Sequence, residues 1–211
     1  MAASSASTAP FASAVPTAMV SDEAAILQNI TQEDCNLAIW QRPVPFDVTP
    51  LMIGAPKDIR CEATRATLPT VLRGALREAG FAASHLHDAF VADAVLLADH
   101  FCAALRLARF EVRLEVVTTD SCRKFHADYV TARLITTYVG PGTDWLDADG
   151  ANAVAQGAQP ARINRMKAGD VGLFKGRHAS LHPAIHRSPP ISQSGERRLL
   201  MVLNPVSAHA G

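Results

Sequence analysis

The sequence predicts an α+β protein whose N-terminal part is mainly helical and whose C-terminal part is rich in strands. Over residues 67–108, apolar side chains recur at three- and four-residue spacing, which is typical of helices with one buried face. From Phe110 onward apolar and charged residues alternate, which is typical of half-exposed strands. Gly- and Pro-rich turns follow, so the strand-rich part could close into a small barrel or jelly roll.

The composition indicates a single domain behind a short tail. The chain has 211 residues, 48% of them hydrophobic, and no apolar run approaches the ~18 residues that a membrane span requires. Residues 1–20 are uncharged and rich in Ala, Ser, Thr and Pro, so a disordered tail is predicted there. We expect one domain over residues 21–211, mainly helical at 21–108 and β-rich at 109–205.

Charge and cysteine content exclude several classes of protein. The 20 basic and 20 acidic side chains cancel, so neither nucleic acid nor a membrane is expected as a partner. The cysteines, Cys35, Cys61, Cys102 and Cys122, form no Cys-x-x-Cys pair, which argues against a zinc ribbon and a secreted disulfide scaffold. A cytoplasmic location is expected, while the oligomeric state stays open.

The N-terminal part contains a proline-rich stretch followed by two predicted helices. A short helix is predicted near residues 23–28. A strand in which Trp40 packs inward is favoured over 36–43, and a place in the rim of a substrate pocket is the alternative for this segment. Helices are predicted over 67–80, with a threonine cap and a glycine stop, and over 84–108.

The β-rich part carries several predicted strands separated by turns. These strands cover residues 110–116, 132–139, 170–174, 184–187 and 198–204. Gly140-Pro-Gly142 is typical of a tight turn, after which Trp145 lies at the start of another strand or at the edge of a lid.

A His-x-Asp pair and a distal histidine are the main functional signal. In an extended segment, residues two apart point to the same side, so His126 and Asp128 can converge on one ion with His186. Two imidazoles and one carboxylate on one face hold iron(II) in many oxygenases and leave coordination positions open for substrates. His-x-Asp is weak by itself, because this composition produces about 0.8 pairs of a histidine and an acidic residue at this spacing by chance.

The order of the surrounding features strengthens that signal. Gly169-Asp170 leads into a strand, His186 follows, and Arg197 and Arg198 lead into an apolar strand. The series resembles the double-stranded β-helix, a cupin-like jelly roll, of iron(II)- and 2-oxoglutarate-dependent oxygenases. The resemblance implies that the His-Asp-His set binds iron(II), and that 2-oxoglutarate supports hydroxylation of a small-molecule or peptide substrate.

The same resemblance implies an arginine, roughly ten residues after the distal histidine, that binds the far carboxylate of 2-oxoglutarate. A guanidinium suits this task because its planar fork forms two parallel bonds to a carboxylate. Adjacent strand residues face opposite ways, so only one of Arg197 and Arg198 can enter the barrel. Arg197 follows the Gly-x-Arg pattern and is preferred, whereas a surface arginine pair is the alternative. Tyr138 and Thr136 could hydrogen-bond a carboxylate of the co-substrate, and cross-strand packing is the alternative.

A second resemblance covers the chain from about Asn36 to its C-terminus. It is carried by Asn36-Leu-Ala-Ile-Trp40-Gln-Arg42-Pro, by Phe125-His-Ala-Asp128 and by Arg133-Leu-Ile-Thr-Thr-Tyr138-Val-Gly-Pro-Gly-Thr143-Asp-Trp145. These phrases are similar to a bacterial family that carries only a domain-of-unknown-function label. This resemblance implies no activity.

Two other classes of function compete with the oxygenase hypothesis. His178, His182 and His186 recur at four-residue spacing and could gather around zinc with Cys122 or Asp128, as in a zinc-binding protein of metal homeostasis. His178 and His182 could instead line the pocket mouth, with Tyr138, Trp145 and Phe174 in its wall. The other class is a metal-free jelly roll that binds an anionic small molecule.

Overall fold

The computed structural model describes residues 16–206, which contain three α-helices and ten β-strands. The helices are α1 (Leu68–Glu78), α2 (His87–Leu105) and α3 (Ala148–Ala155). The first strands are β1 (Thr17–Ser21), β2 (Cys35–Trp40), β3 (Ile59–Ala63), β4 (Phe110–Val117) and β5 (Ala132–Val139). The others are β6 (Asp144–Trp145), β7 (Asn164–Arg165), β8 (Val171–Lys175), β9 (His186–Arg187) and β10 (Arg198–Pro205). Short 3₁₀ helices cover Ala24–Thr31, Thr49–Met52 and Ser84–Leu86.

The strands form a large sheet and a small one. The large sheet has the order β1-β2-β8-β5-β10-β4-β3, and the small sheet has the order β7-β6-β9. Pairing is antiparallel except between β1 and β2. The fold is therefore a mixture of helix and strand dominated by β-sheet.

The two faces of the large sheet bury different apolar clusters. One cluster joins that sheet to α1, α2 and the first 3₁₀ helix, with Leu199, Met201 and Leu203 among its members. The other contains Leu200 and Val202 from the same strand, β10, and includes Trp145 of the small sheet. This alternation along β10 follows from the two-residue period of a strand. The second face is the one that carries the candidate site.

The predicted boundaries differ from the structure mainly in the N-terminal part. Thr17–Ser21 form a strand that pairs with β2, so the predicted tail extends too far, while residues 1–15 lie outside the described part. The mainly helical part also contributes β2 and β3 to the large sheet. Strand β1 leaves little trace in the sequence because parallel pairing at a sheet edge depends on backbone groups.

A buried polar network joins α2 to the large sheet. Arg42 donates to both carboxylate oxygens of Asp93, at 2.9 Å for Nη2, and Tyr138 donates to Asp93 Oδ2 at 2.6 Å. Arg42 also lies against the Trp40 ring, 4.9 Å from its centroid. Within residues 16–206, no helix is both long and apolar enough to cross a membrane.

Candidate metal centre

His126 and His186 face each other across a reciprocal pair of backbone hydrogen bonds. The amide of each donates to the carbonyl of the other at 2.9 Å, although His126 belongs to no strand and His186 opens β9. Side chains of directly opposed residues lie on the same side of a sheet. The two imidazole centroids accordingly lie 4.8 Å apart, and Phe174 of β8 packs 4.6 Å from the His186 ring.

Each imidazole also contacts a backbone carbonyl two residues before it. His126 Nδ1 lies 2.9 Å from the Lys124 carbonyl oxygen, and His186 Nδ1 lies 3.2 Å from that of Ala184. A carbonyl oxygen only accepts, so the Nδ1 atoms carry the protons. Both Nε2 atoms then present lone pairs, which is the arrangement of metal-binding histidines.

Asp128 completes the set, with its two carboxylate oxygens in different surroundings. Oδ1 accepts a hydrogen bond from Arg133 Nη1 at 2.6 Å, whereas Oδ2 is buried without a hydrogen-bond partner. His186 Nε2 lies 3.3 Å from that orphaned oxygen, and the ligand atoms of all three residues lie within 4.8 Å of one another. Unless a proton lies between them, a lone pair facing a carboxylate oxygen needs another cation there, so the donor set fits a metal ion.

The surroundings of Asp128 favour its charged form. Burial opposes ionisation, but a hydrogen bond and the charge of a protonated His186, with the charges of Arg133 and of a protonated His126, outweigh it and lower the pKa of the carboxyl in the metal-free protein. Asp128 is thus an ionised ligand at neutral pH.

Arg133 is a functional candidate that sequence reasoning did not single out. Its Nε donates to Asn204 Oδ1 at 2.6 Å, and Asn204 Nδ2 donates to Glu111 at 2.8 Å. Asp128 is therefore tied through Arg133 to two strands of the large sheet, β10 and β4. The sequence contains one indication of this role, because Arg133 is a charged residue within an apolar strand and lies five residues after Asp128.

Arg198 lies on the same face of the large sheet and is fully buried at 0% exposure. It donates to the Pro141 carbonyl at 2.7 Å, to Ser188 Oγ at 3.1 Å and to Thr137 Oγ1 at 3.3 Å. No carboxylate of residues 16–206 forms an ion pair with it. Burial lowers the pKa of Arg198 to about 10, which still leaves the guanidinium charged at neutral pH. Asp144 and Glu115 attract this charge from beyond ion-pair distance, so the buried guanidinium has no direct ion pair and suits an anionic ligand.

The turn before β6 is shaped around this arginine. A Cβ at Gly140, whose φ is +81°, would lie 2.6 Å from the Arg197 carbonyl oxygen and 2.9 Å from Arg198 Cγ. Only glycine fits there, because both the backbone angle and the space exclude a side chain. The predicted tight turn thus also places the Pro141 carbonyl against the guanidinium.

Arg197 and Tyr138 point away from this face. Arg197 donates to the Met52 carbonyl at 3.0 Å, and Tyr138, 3% exposed, belongs to the apolar cluster on the helical side. Thr136 lies two residues before Tyr138 on β5, so its side chain lies on the same face of the sheet as that of Tyr138. Two predictions are therefore corrected. Arg198, and not the preferred Arg197, lies on the face of the triad, and Tyr138 lies on the opposite face, where it cannot contact a co-substrate beside the triad. The reason is the strand pleat, which directs the side chains of Arg197 and Tyr138 to the helical side.

The remaining sequence candidates are dispersed. His178 and His182 are exposed, His182 lines a separate surface groove beside α3, and within residues 16–206 the metal-compatible group contains only the triad. Cys122 is an exposed free thiol at the edge of the cavity that His126 and His186 line. Trp145 packs in the inter-sheet cluster. In the part of the chain that the structure describes, His178, His182 and His186 do not gather into a zinc site.

Comparisons with known proteins identify one family. The family model described as "Protein of unknown function (DUF1826)" matches residues 21–204. No curated protein matches the sequence.

Solved structures that resemble the fold include several oxygenases. One is the dioxygenase for auxin oxidation 1 from Arabidopsis thaliana in complex with 2-oxoglutarate. Its sequence is 11% identical, the match covers 92% of this chain and 94% of that chain, and the TM-score is 0.48. Another is a Pseudomonas putida prolyl-4-hydroxylase. Its sequence is 12% identical, the match covers 88% of this chain and 99% of that chain, and the TM-score is 0.44. A putative 2OG-Fe(II) oxygenase family protein from Caulobacter crescentus has 15% identity, 91% and 86% coverage and a TM-score of 0.42.

Proposed function

We propose that this chain, which belongs to the DUF1826 family of proteins of unknown function, is a mononuclear non-haem iron(II) oxygenase that uses 2-oxoglutarate. On this proposal the two facing sheets are a double-stranded β-helix core, and the reaction is hydroxylation of a small-molecule or peptide substrate. The observation that carries it is the convergence of two imidazole lone pairs with a buried, unpartnered carboxylate oxygen of Asp128.

His126, Asp128 and His186 would hold the iron through their Nε2 atoms and Oδ2. Two imidazoles and one carboxylate are the ligand set typical of iron(II) oxygenases with open coordination positions. The hydrogen bonds from Nδ1 to backbone carbonyls keep both rings in the orientation that binding requires. When bound, iron(II) would activate dioxygen at the expense of 2-oxoglutarate, so that one oxygen atom enters a C–H bond of the substrate, the other enters succinate, and carbon dioxide leaves.

Arg198 would bind the far carboxylate of 2-oxoglutarate. Its guanidinium is charged and buried, and it is held by Pro141 and Thr137 without a direct ion pair among the described residues. Charge-assisted bonds to a carboxylate would offset the cost of burying that charge. Ser188 links the arginine to the cavity beside the triad, because its hydroxyl accepts from Arg198 and its side chain lines that cavity.

Arg133→Met should weaken metal binding by about 10- to 100-fold, the usual cost of losing a residue that orients a metal ligand. The side chain keeps its length but no longer holds Asp128 Oδ1, so the carboxylate can rotate away from the histidines. Isothermal titration with cobalt(II) measures the affinity. Arg109→Met is the matched control, since Arg109 forms an exposed pair with Glu62. Equal affinities of both variants would contradict the positioning role.

Anaerobic reconstitution with iron(II) and 2-oxoglutarate tests the proposed function. We expect a weak visible charge-transfer band from the chelate, followed by succinate formation after air is admitted. Absence of both would refute the oxygenase. Stoichiometric zinc that survives dialysis, without succinate formation, would support the zinc-binding alternative, while failure to bind any metal would support a metal-free binding module.

A further inference from the structure

The triad is open to solvent on the side of His126. The side chain of His126 is 37% exposed, whereas those of His186 and Asp128 are 4% and 9% exposed. His126 lines both the cavity beside the triad and a second, more open one, which we call the outer cavity. The outer cavity is lined by Asp120, Cys122, Arg123, Lys124 and His126. A substrate of the proposed reaction would approach the metal from this side.

The outer cavity contains two exposed cations without a direct partner. Within residues 16–206, neither Arg123 nor Lys124 forms an ion pair or donates a side-chain hydrogen bond. Asp120 attracts Arg123 from beyond ion-pair distance. Its carboxylate oxygens, however, already accept hydrogen bonds from the Ile191 and Ser192 amides at 2.8 and 2.9 Å and from Ser192 Oγ at 2.6 Å. The guanidinium and the ammonium are thus available to an anionic ligand.

The loop that carries these cations is anchored to the chain that follows β9. Asp120 binds that chain through the three hydrogen bonds above, and the Cys122 carbonyl accepts from the Ser188 amide at 3.1 Å. The Lys124 carbonyl contacts His126 Nδ1 at 2.9 Å. The backbone of residues 120–124 is therefore fixed relative to His126, which reduces the entropy lost when the two cations bind a ligand.

The cavity beside the triad also carries more positive than negative charge. Its charged lining residues other than the histidines are Arg113, Glu115, Arg133 and Arg187. Two of these arginines share their acidic partner with another arginine. Glu111 pairs with Arg60 as well as with Arg113. Asp144 pairs with Arg165 as well as with Arg187. The charges around the triad therefore favour an anion over a cation.

The co-substrate of the proposed reaction would not occupy the two cations of the outer cavity. On that proposal its keto-acid end meets the metal, and its far carboxylate meets Arg198. Arg198 contacts Ser188, which lines the cavity beside the triad and not the outer cavity. Arg123 and Lys124 are thus left for a second anion.

We infer that the substrate carries an anionic group, a carboxylate or a phosphate, and that Arg123 and Lys124 bind this group in the outer cavity beside His126. The inference rests on the proposed function for its term "substrate", but the anion site itself does not require the metal. The two residues are thus specificity-determining residues, which hold the anionic end while another part of the substrate faces the triad.

Ligand-observed NMR on the full chain without added metal, at low ionic strength, tests this inference. The probes are n-pentanoate, n-butyl phosphate and the uncharged n-pentanamide. We expect at least one anion to bind about 10-fold more tightly than the amide, since charge-assisted bonds are lost in the amide. The anion that binds more tightly identifies the group as a carboxylate or a phosphate.

The double variant Arg123→Gln with Lys124→Gln should lose this preference. Its matched control is Lys57→Gln with Arg77→Gln, which removes the same two charges from exposed positions outside both cavities and should keep the preference. Both pairs of side chains are exposed, so the substitutions leave the core unchanged.

Equal binding of the anions and the amide to the unmodified protein would overturn the inference. A preference that survives in the Arg123 and Lys124 double variant but disappears in Arg198→Met would also overturn it, because the anion would then occupy the co-substrate site. Since no metal or turnover is involved, a failed succinate assay and a failed anion-binding assay are separate results.

Discussion

His186→Ala should abolish metal binding and, with it, any consumption of 2-oxoglutarate. His186 is 3% exposed and supplies the Nε2 atom that lies 3.3 Å from the orphaned oxygen of Asp128. Loss of a direct ligand must exceed the ~10- to 100-fold cost of losing an outer partner, so we expect cobalt(II) affinity to fall by more than ~100-fold. The alanine keeps the backbone bonds to His126, so the local chain path survives.

Titration with cobalt(II), followed by its visible absorption, measures this effect. His182→Ala is the matched control, because His182 is an exposed histidine only four residues away that does not belong to the triad. It should bind cobalt(II) as the unmodified protein does. Retained affinity in a folded His186→Ala variant would contradict the proposed centre.

Arg198→Met should raise the dissociation constant of 2-oxoglutarate by roughly 10- to 100-fold while leaving metal affinity unchanged. The expected loss corresponds to about 1.5–3 kcal/mol for hydrogen bonds to a charged group. Arg198→Lys should keep part of the affinity, since a lysine restores the charge but not the planar fork. Calorimetry on the protein loaded with a redox-inert divalent metal measures both constants separately.

The neighbouring arginine provides the control for this experiment. Arg197 has the same chemistry and is adjacent in sequence, but its side chain donates to the Met52 carbonyl. Arg197→Met should therefore leave the 2-oxoglutarate constant within about twofold of the original value. A large effect at Arg197 and none at Arg198 would invert the assignment.

The sequence predicts the triad better than it predicts the arginine. His126 and Asp128 share a side because they are two residues apart, and this relation holds in any extended segment. The choice between Arg197 and Arg198 depends on which face of β10 is covered by helices. Both faces of that strand are apolar, with Leu199 and Leu200 equally hydrophobic, so the alternation that orients a half-exposed strand is missing.

The position of Tyr138 differs from the sequence prediction for a related reason. Its ring contacts Phe90 and its hydroxyl donates to Asp93, and both partners lie on α2, far from it in sequence. Only the packing of α2 on the sheet shows that the Tyr138 hydroxyl has its hydrogen-bond partner on the helical side.

The regular elements follow local pattern to different degrees. The helices α1 and α2 and the strands β4, β5 and β10 were predicted because apolar periodicity and turn residues mark them. Strand β7 of the small sheet and the edge strand β1 exist through backbone pairing with distant segments, which leaves little local pattern, whereas β6 and β9 lie where the sequence already indicates a strand. Helix α3 buries little apolar surface, so no strong periodicity signals it.

The reciprocal amide bonds between His126 and His186 bear on the thermodynamics of the apo state. Where a metal must first collect its ligands from an unfolded chain, binding and folding are one event and a chelator denatures the protein. Here the two histidines are already opposed by main-chain groups, and Arg133 holds the carboxylate beside them. Little conformational entropy is then lost when an ion enters. Removal of the ion by a chelator should therefore leave a folded protein that can bind metal again. Its melting temperature should fall only as far as the loss of the free energy of ion binding requires.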